Sequence, residues 1–247
     1  MNSTIETILR HRSIRKFKND PITPEQIKTI VKCAQHASTS SYVMAYTIIG
    51  ITDETIKEEL TTISGHEHVK NSSHLFLFCA DLNRIYHLAS KEDQEKMKES
   101  IESTEQFLVA TIDTALAAQN AVIAAESMGL GVCYIGGIRN NIKSVNDILE
   151  LPDYVIPLFG LAVGYPAHQP EQKPRLPLNV IYHENTYDIK KQTSLIEQFD
   201  KDLEKYYIQR GENARTDTWS DQMIRKYTNP IRMDVTQFVK DKKLNKR

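Results

Sequence analysis

The longest helical pattern in the chain, from about residue 103 to residue 128, constrains the fold more than any other feature. Small apolar residues, most of them alanines, occupy much of the circumference of this predicted helix. A helix of that kind packs closely on several sides, as a central or subunit-contact helix does. Gly129 follows it as a suitable left-handed cap. The other elements are therefore expected to pack around one long helix.

Helices and strands are predicted on both sides of this central helix. A capping box at Thr23 and Gln26 predicts a helix from about residue 24 to residue 36. Continuous apolar runs at 47–51 and 75–80 are typical of central strands that are covered on both faces. By the same patterns, further helices are predicted around 56–63 and 142–149, and further strands at 132–135 and 158–163.

The C-terminal part of the chain has a different character. Prolines exclude regular structure across residues 166–177. Beyond Tyr187 the sequence turns to charged helices with few apolar anchors, so this segment needs another surface to pack on. We interpret 187–247 as a helical arm that wraps the body or a partner subunit, within a single domain spanning 1–247.

The overall composition excludes several functional classes. The chain has 247 residues, of which 40% are hydrophobic, and its 31 basic and 32 acidic side chains give a formal net charge of -1. General electrostatic attraction to nucleic acid or to an anionic membrane is therefore not indicated. No uninterrupted apolar stretch approaches the roughly 18 residues of a membrane span. We expect a cytoplasmic protein that binds neither membranes nor nucleic acids.

The cysteines and histidines do not form a metal or redox motif. Cys33, Cys79 and Cys133 are far apart and lie among apolar neighbours, so we interpret them as buried small side chains. His66 and His68 lack the spacing of two ligands on one helix face, and no cysteine or third histidine lies within five residues of them. No metal site is predicted.

A cluster of hydrogen-bond donors near the N-terminus is the first candidate for a ligand site. It consists of His11, Arg12, Ser13, Ile14 and Arg15. Arginine pairs bidentately with phosphate, serine adds a hydroxyl group, and histidine donates from its ring nitrogens. The alternative is a solvated basic face, because basic residues continue on both sides of the cluster.

Two further segments are candidates for the same kind of role. Residues 38–41 carry four hydroxyl groups in a row, which make either a ligand loop or a plain polar connection. Gly136 and Gly137 directly follow a predicted strand, where the lack of side chains lets backbone N–H groups approach a flat ligand. The alternative for the glycines is a simple turn that ends the strand.

Several common enzyme motifs are missing. The glycines around 129–137 stand between a helix and a strand in the order helix, glycines, strand, whereas a Rossmann motif needs strand, glycines, helix. The sequence contains no P-loop and no GxSxG nucleophile elbow, so phosphoryl transfer and serine hydrolysis lack their required parts.

Taken together, five ordered motifs resemble the FMN-dependent nitroreductase superfamily, in its NADPH-preferring, oxygen-insensitive nitroreductase and flavin reductase branch. The motifs are the cluster at 11–15, the hydroxyl loop at 38–41, and the segments 124–131, 134–140 and 173–177. The resemblance covers essentially the whole chain. It implies an α+β fold with a central mixed β-sheet flanked by helices, and an intertwined homodimer with one FMN per subunit.

The resemblance also implies roles for individual residues. Lys173 and Arg175 would close on the FMN phosphate, and Arg210 and Arg215 would bind the 2′-phosphate of NADPH. The loop after Gly65 is shorter than in relatives and lacks their flavin-contacting glutamine, so we place His66 there in preference to Glu67. The residues implied to bind FMN are His11, Arg12, Ser13, Arg15, Ser38, Thr39, Ser41, His66, Tyr134, Ile135, Gly136, Gly137, Lys173 and Arg175.

The implied activity is ping-pong hydride transfer from NADPH through bound FMN to an acceptor. Free flavin, a nitro compound, a quinone and a small disulfide all remain open as that acceptor. Because the flavin carries the chemistry, no catalytic side chain is predicted. Two alternatives remain: a flavin-binding or regulatory protein with slow turnover, which would not need Arg210 and Arg215, and, least favoured, a nucleic-acid binder.

Overall fold

The computed structural model describes residues 2–190, 192–210 and 214–247. The chain forms two compact units, one made of the residues up to Pro170 together with Arg232–Arg247, and one made of Glu171–Ile231. The division into a single domain with an arm from residue 187 stays a prediction. Eleven α-helices are assigned within the described residues: α1 Ser3–Leu9, α2 Pro24–Gln35, α3 Glu54–Ser64, α4 Asn83–Leu88, α5 Lys91–Ile101, α6 Thr104–Ser127, α7 Ile142–Ile148, α8 Leu178–Ile181, α9 Thr193–Gln209, α10 Trp219–Thr228 and α11 Val235–Asp241.

The helix boundaries follow from the sequence signals. In α2 the Thr23 side chain accepts from the Gln26 backbone N–H, and the Gln26 side chain accepts from the Thr23 N–H, so the predicted capping box is confirmed. Helix α6 is the predicted central helix, and Gly129 beyond its end has a φ of 77°.

The first unit is built on a four-stranded sheet with the order β1-β2-β4-β3. Its strands are β1 Tyr46–Ile51, β2 His74–Asp81, β3 Gly131–Ile135 and β4 Val155–Gly164. The predicted α+β class is confirmed, but the expected mixed sheet differs in detail. All three strand pairs are antiparallel, and a parallel contact occurs as a bridge between Ser13 and Val132.

The two apolar runs before residue 81 occupy different places in the sheet. Every residue of β2 is buried, as expected for a central strand. The run at 47–51 was predicted to be central as well, but β1 lies at the edge of the sheet and is half-exposed over most of its length. An apolar run fixes the tendency to form a strand, whereas its position in the sheet depends on pairing with distant residues.

The sheet is covered on both faces, so alternate residues of β2 point into two separate cores. Phe76 and Phe78 pack with alanines of α6 and with residues of α2. Leu75 and Leu77 pack with α3 and α7 through residues that include Leu60. The segment that follows α1 joins this second core through Ile14, which brings the N-terminal cluster onto the sheet.

Helix α6 is long and apolar enough to cross a membrane by length and composition alone. Half of its most apolar stretch is nevertheless buried against the rest of the protein. Near its middle, the fully buried Asp113 accepts hydrogen bonds from the backbone N–H groups of Ser40 and Ala45. A core helix satisfies the same length and composition criteria, and these packed contacts place α6 in the core of the first unit.

The second unit has a small core of its own. Phe199, Leu203 and Tyr207 of α9 are buried there, with Tyr206 and Trp219 packed against them. The few apolar anchors expected beyond Tyr187 therefore include aromatic residues that contact one another within this unit. Val235 and Phe238 belong to the core of the first unit instead.

Candidate functional site

The N-terminal cluster runs along strand β3. The Ile14 N–H donates to the Val132 carbonyl at 2.9 Å, and Ile14 is buried. The fit is close: a Cβ added to Gly131 would lie 2.6 Å from the Ile14 side chain. Because side chains alternate along an extended segment, Ser13 and Arg15 point away from the core that holds Ile14. The cluster is thus anchored to the sheet, which a purely solvated basic face would not require.

The first two side chains of the cluster, His11 and Arg12, are held by hydrogen bonds. His11 Nδ1 lies 2.7 Å from Glu126 Oε1 near the end of α6. Arg12 donates to the carbonyls of Arg10 at 3.3 Å and Pro170 at 3.1 Å. These contacts orient the histidine ring and the guanidinium group before any ligand binds.

The charge of Arg15 acts on two buried groups, Cys133 in β3 and His68 after α3. Burial raises the pKa of the Cys133 thiol, and the Arg15 charge partly opposes that shift. Burial, followed by the charges of His66 and Arg15, lowers the pKa of His68 to about 4. Cys133 therefore remains a thiol and His68 a neutral imidazole near pH 7. Cys133 is buried, as predicted.

The two histidines of the short loop after α3 differ in burial. His66 and Glu67 are exposed, and Glu67 pairs with Lys70 at 3.1 Å. His68 is buried, and its Nε2 has no hydrogen-bond partner among the described residues. The burial of His68 could not be predicted, because an irregular loop has no periodicity that tells a buried side chain from an exposed one.

The tandem glycines at the end of β3 have unequal surroundings. A Cβ on Gly137 would lie 2.5 Å from the backbone oxygen of Ser64, so this glycine packs against the end of α3. A Cβ on Gly136 would meet only the far ends of Arg139 and Arg232, at 3.5 and 3.8 Å. Gly136 therefore leaves an accessible backbone position beside two guanidinium groups.

Arg139 and Arg232 are site residues to which the sequence analysis gave no role. Arg139 donates to the Leu158 carbonyl, and Arg232 Nε donates to Asn140 Oδ1 at 2.9 Å. Burial and the neighbouring Arg232 charge lower the pKa of Arg139. Arg139 stood within a recognised motif, but Arg232 is 93 positions further along the chain and only folding brings it to Gly136.

The two residues before the glycines face opposite ways. Tyr134 is only partly exposed, at 39%, with its ring packed edge-on against Phe159 at 5.4 Å. Burial, followed by Glu126, raises the pKa of Tyr134 to about 12. Ile135 is buried in the core, so only its backbone is available to a ligand.

The hydroxyl loop is attached to the middle of α6. Ser38 and Ser41 are exposed and Thr39 is half-buried. Ser41 has a left-handed backbone with a φ of 46°, and the next residue, Tyr42, has a φ of 61° and is 81% exposed. The loop therefore presents its side chains outward.

In the second unit, two of the predicted basic residues lie on one aromatic ring. Lys173 Nζ is 5.3 Å from the ring centre of Tyr207, and the Arg215 guanidinium carbon is 4.0 Å from it. Burial raises the pKa of Tyr207, but the interactions of its hydroxyl with Lys173 and Arg215 outweigh burial and bring the pKa below its ordinary value. Arg175 donates to the Lys173 carbonyl at 2.7 Å.

The predicted pair Arg210 and Arg215 lies on two neighbouring rings. Arg210 is 5.8 Å from the ring of Tyr206, which is 5.5 Å from the ring of Tyr207. Arg215 donates to Gln222 Oε1 at 2.8 Å. The structure therefore groups residues around β3 in the first unit and around these tyrosines in the second.

Comparison with known proteins identifies the family. The model of the nitroreductase family matches residues 8–165, and the model described as the nitroreductase family, C-terminal domain, matches residues 173–247. The chain is 51% identical over 249 residues to "FMN reductase (NADPH)" of Bacillus subtilis, with 100% of both chains covered. It is 45% identical to "Oxygen-insensitive NADPH nitroreductase" of Salmonella typhimurium, with 91% of each covered.

A solved structure agrees with these matches. The NfrA1 nitroreductase from B. subtilis superimposes with a TM-score of 0.95 at 50% identity, covering 99% of this chain and 100% of that one. The resemblance drawn from the five motifs is thereby confirmed. The two family models, the full-length relatives and the shared fold lead to one conclusion: this chain belongs to the nitroreductase family.

Proposed function

We propose that the protein is an NADPH-dependent FMN oxidoreductase. It transfers hydride from NADPH through bound FMN to an acceptor, in ping-pong order. The observation that carries this proposal is the cluster of residues 11–15, which is fixed on β3 beside Tyr134 and the open backbone at Gly136. The relatives named as an NADPH-dependent FMN reductase and an NADPH nitroreductase support the same activity.

The residues around β3 fit FMN by the chemistry of their donors. Arg12, Ser13 and Arg15 offer guanidinium and hydroxyl donors for a phosphate group. The charge of Arg15 already acts on the buried Cys133 and His68, and a bound phosphate would neutralise it. Gly136 leaves room for a flat ring against the backbone. The remaining predicted FMN contacts, at Ser38, Thr39, Ser41, His66, Lys173 and Arg175, are part of this proposal.

The chain's own residues bind and orient the reactants. FMN, when bound, supplies the ring that accepts and passes on the hydride. Arg139 and Arg232 place positive charge beside Gly136, which favours negative charge on a ligand at that position. No side chain is required as a general acid or base. Arg210 and Arg215 bind the 2′-phosphate of NADPH, because the guanidinium fork matches phosphate geometry.

The electron acceptor belongs to one of four classes: free flavin, nitro compounds, quinones or small disulfides. Each can be tested as an oxidant of the reduced protein. We also place the protein in the cytoplasm, which is supported by its three free cysteines, since reducing compartments keep thiols free.

We further propose a homodimer. On α6, three apolar side chains spaced four residues apart are exposed: Leu108, Ile112 and Leu116. Exposed Tyr42 lies on the loop that Asp113 attaches to the same helix. We call Leu108, Ile112 and Leu116 the α6 stripe. In the proposed dimer a second copy of the chain covers this stripe, because contiguous apolar surface of this kind marks a site of protein–protein contact.

An anaerobic visible spectrum of the purified protein, recorded before and after NADPH or NADH in separate cuvettes, tests the function. We expect a flavin spectrum that NADPH bleaches faster than NADH. A protein that carries no flavin, even after incubation with FMN, would contradict the proposal. A bound flavin that neither nucleotide bleaches would instead favour a flavin-binding or regulatory protein.

The same preparation tests the phosphate site. Arg15→Ala should release FMN, because the phosphate charge is left without its partner. Lys18→Ala is the control, since Lys18 is an exposed basic residue just beyond the cluster. Full flavin occupancy in Arg15→Ala would show that the phosphate binds elsewhere.

A further inference from the structure

We propose that Asp113 is a positioning residue for FMN: it holds the loop of residues 38–45 in the shape that presents the loop's hydroxyl groups. This inference rests on the proposed function, because FMN is the ligand that those hydroxyls would bind. Asp113 itself lies inside the protein and would not touch the ligand. Its effect would pass through the backbone of the loop.

Both carboxylate oxygens of Asp113 are engaged, at opposite ends of the loop. Oδ1 accepts from the Ser40 N–H at 2.9 Å, and Oδ2 accepts from the Ala45 N–H at 3.1 Å. Asp113 is fully buried in the middle of α6, the most extensively packed helix of the first unit. A buried carboxylate that accepts two backbone N–H groups is a strong and rigid attachment.

The backbone between these two attachment points is strained. Ser41, Tyr42 and Met44 have φ values of 46°, 61° and 52°, in the left-handed region that residues with side chains rarely adopt. Such conformations persist where the surrounding structure imposes them. Without the carboxylate, we expect this segment to relax to ordinary backbone angles and to move its hydroxyl groups.

A second side chain holds the same loop from the other side. Arg84 donates to the carbonyls of Met44 and Tyr46, each at 3.1 Å. The carboxylate thus binds N–H groups and the guanidinium binds carbonyl groups of one short segment. Arg84 is about half exposed, whereas Asp113 is buried. The two residues therefore allow the same loop to be perturbed from the core and from the surface.

The loop presents its side chains outward instead of packing them. Ser38 and Ser41 are exposed, and Tyr42 projects into solvent. A loop that only filled space in the core would bury these side chains and would not need a strained backbone. A held backbone with outward hydroxyls is instead the arrangement expected of a preorganised ligand contact.

The test compares Asp113→Asn with Thr114→Val. Asparagine keeps the shape of the side chain and one acceptor oxygen. Its amide nitrogen is a donor, so it cannot accept from the backbone N–H that it would face, and one of the two attachments is lost. Thr114 is the neighbouring, fully buried residue, whose hydroxyl lies 2.6 Å from the Ala110 carbonyl of α6 and 3.4 Å from the Cys79 carbonyl of β2. Thr114→Val therefore perturbs the same part of α6 without touching the loop.

Three measurements are made on each variant. Titration of the apoprotein with FMN, followed by flavin fluorescence, gives the Kd. Hydrogen exchange reports protection of the Ser40 and Ala45 amides, and urea denaturation reports global stability. For Asp113→Asn we expect at least tenfold weaker FMN binding and faster exchange at these two amides. For Thr114→Val we expect a Kd within twofold of the wild type and unchanged exchange at both amides.

Arg84→Gln keeps the test decisive if Asp113→Asn does not fold, since it releases the loop from the exposed side. It should also weaken FMN binding, and the urea midpoint measures the stability lost with the contacts of Arg84 to Asp81 and Thr47. The inference is wrong if Asp113→Asn or Arg84→Gln speeds exchange at the loop amides but has a Kd for FMN within twofold of the wild-type value. It is also wrong if Thr114→Val raises that Kd as much as Asp113→Asn does. Failure of the wild type to bind FMN would overturn the proposed function instead.

Discussion

Gly136 and Gly137 are adjacent in sequence but have different roles. Gly137 is required by packing: Ser64 O occupies the space of a Cβ and also accepts a hydrogen bond from Asn140 at 3.3 Å, so it cannot readily move. Gly136 has only the far ends of two arginines near it. From sequence both glycines were assigned to the ligand site. The structure shows that Gly137 is also needed for close packing against Ser64.

We expect Gly137→Ala to lower the free energy of unfolding by about 1 to 3 kcal/mol, the usual cost of overpacking. Gly136→Ala should change it by less than about 0.5 kcal/mol, as at sites without tight contacts, while weakening FMN binding. Urea denaturation and FMN titration of both variants separate these effects. Equal losses of stability in the two variants would show that packing against Ser64 is not the reason for a glycine at position 137.

At the scale of elements, two adjacent tyrosines near the end of α9 gather a basic cluster around their rings. Tyr207 brings Lys173 and Arg215 together, and Tyr206 carries Arg210. Arg215 is also held by Asp217 at 3.7 Å, but Asp217 makes a closer pair with Arg225 at 3.0 Å. Arg215 can therefore turn to a phosphate without leaving a carboxylate unpaired.

Replacing both Arg210 and Arg215 with alanine should raise the KM for NADPH at least tenfold and the KM for NADH by no more than about twofold. Only NADPH carries the 2′-phosphate that the two guanidinium groups would bind. Steady-state kinetics with each nucleotide measure the effect, and Lys205→Ala, an exposed lysine of α9, is the control. Equal increases for NADPH and NADH would remove these arginines from the nucleotide site.

At the scale of the whole molecule, α6 serves both core packing and the proposed dimer contact. One side of the helix fills the core with alanines, and the other carries the exposed α6 stripe. This division explains why the helix is apolar around most of its circumference although one of its sides is exposed. The proposed dimer would bury the stripe and bring the hydroxyl loop to a second subunit.

Ile112→Glu should convert the dimer to a monomer, because a charge at the centre of the stripe would be buried without a partner. Sedimentation velocity measures the change, and FMN content should fall with it. Leu88→Glu on α4 is the control, since Leu88 is an exposed apolar residue outside the stripe. If Ile112→Glu remains dimeric, the stripe is not the interface.

Much of the fold could be predicted from local signals. The capping box before α2, the small-residue pattern of α6 and the apolar run of β2 each depend on residues close together in sequence, and each prediction is confirmed. The edge position of β1 and the antiparallel pairing of the sheet could not be predicted, because pairing joins segments that are far apart in the chain.

The candidate site divides in the same way. The basic cluster at 11–15 and the tandem glycines were recognisable because donor-rich and glycine-rich segments carry a local chemical signature. The buried His68 and the approach of Arg232 to Gly136 were not, since neither the burial of one polar loop residue nor a long-range contact shows in the neighbouring sequence.

By itself, the sequence determined which segments form helices and strands, which segments carry the ligand-binding groups, and the family to which the chain belongs. Only the tertiary structure decided that Asp113 holds the hydroxyl loop, that Gly137 serves packing, and which of two nearby histidines is buried. The physical reason is that propensity, capping and donor chemistry act over a few residues, whereas burial, steric fit and backbone strain arise when distant segments meet.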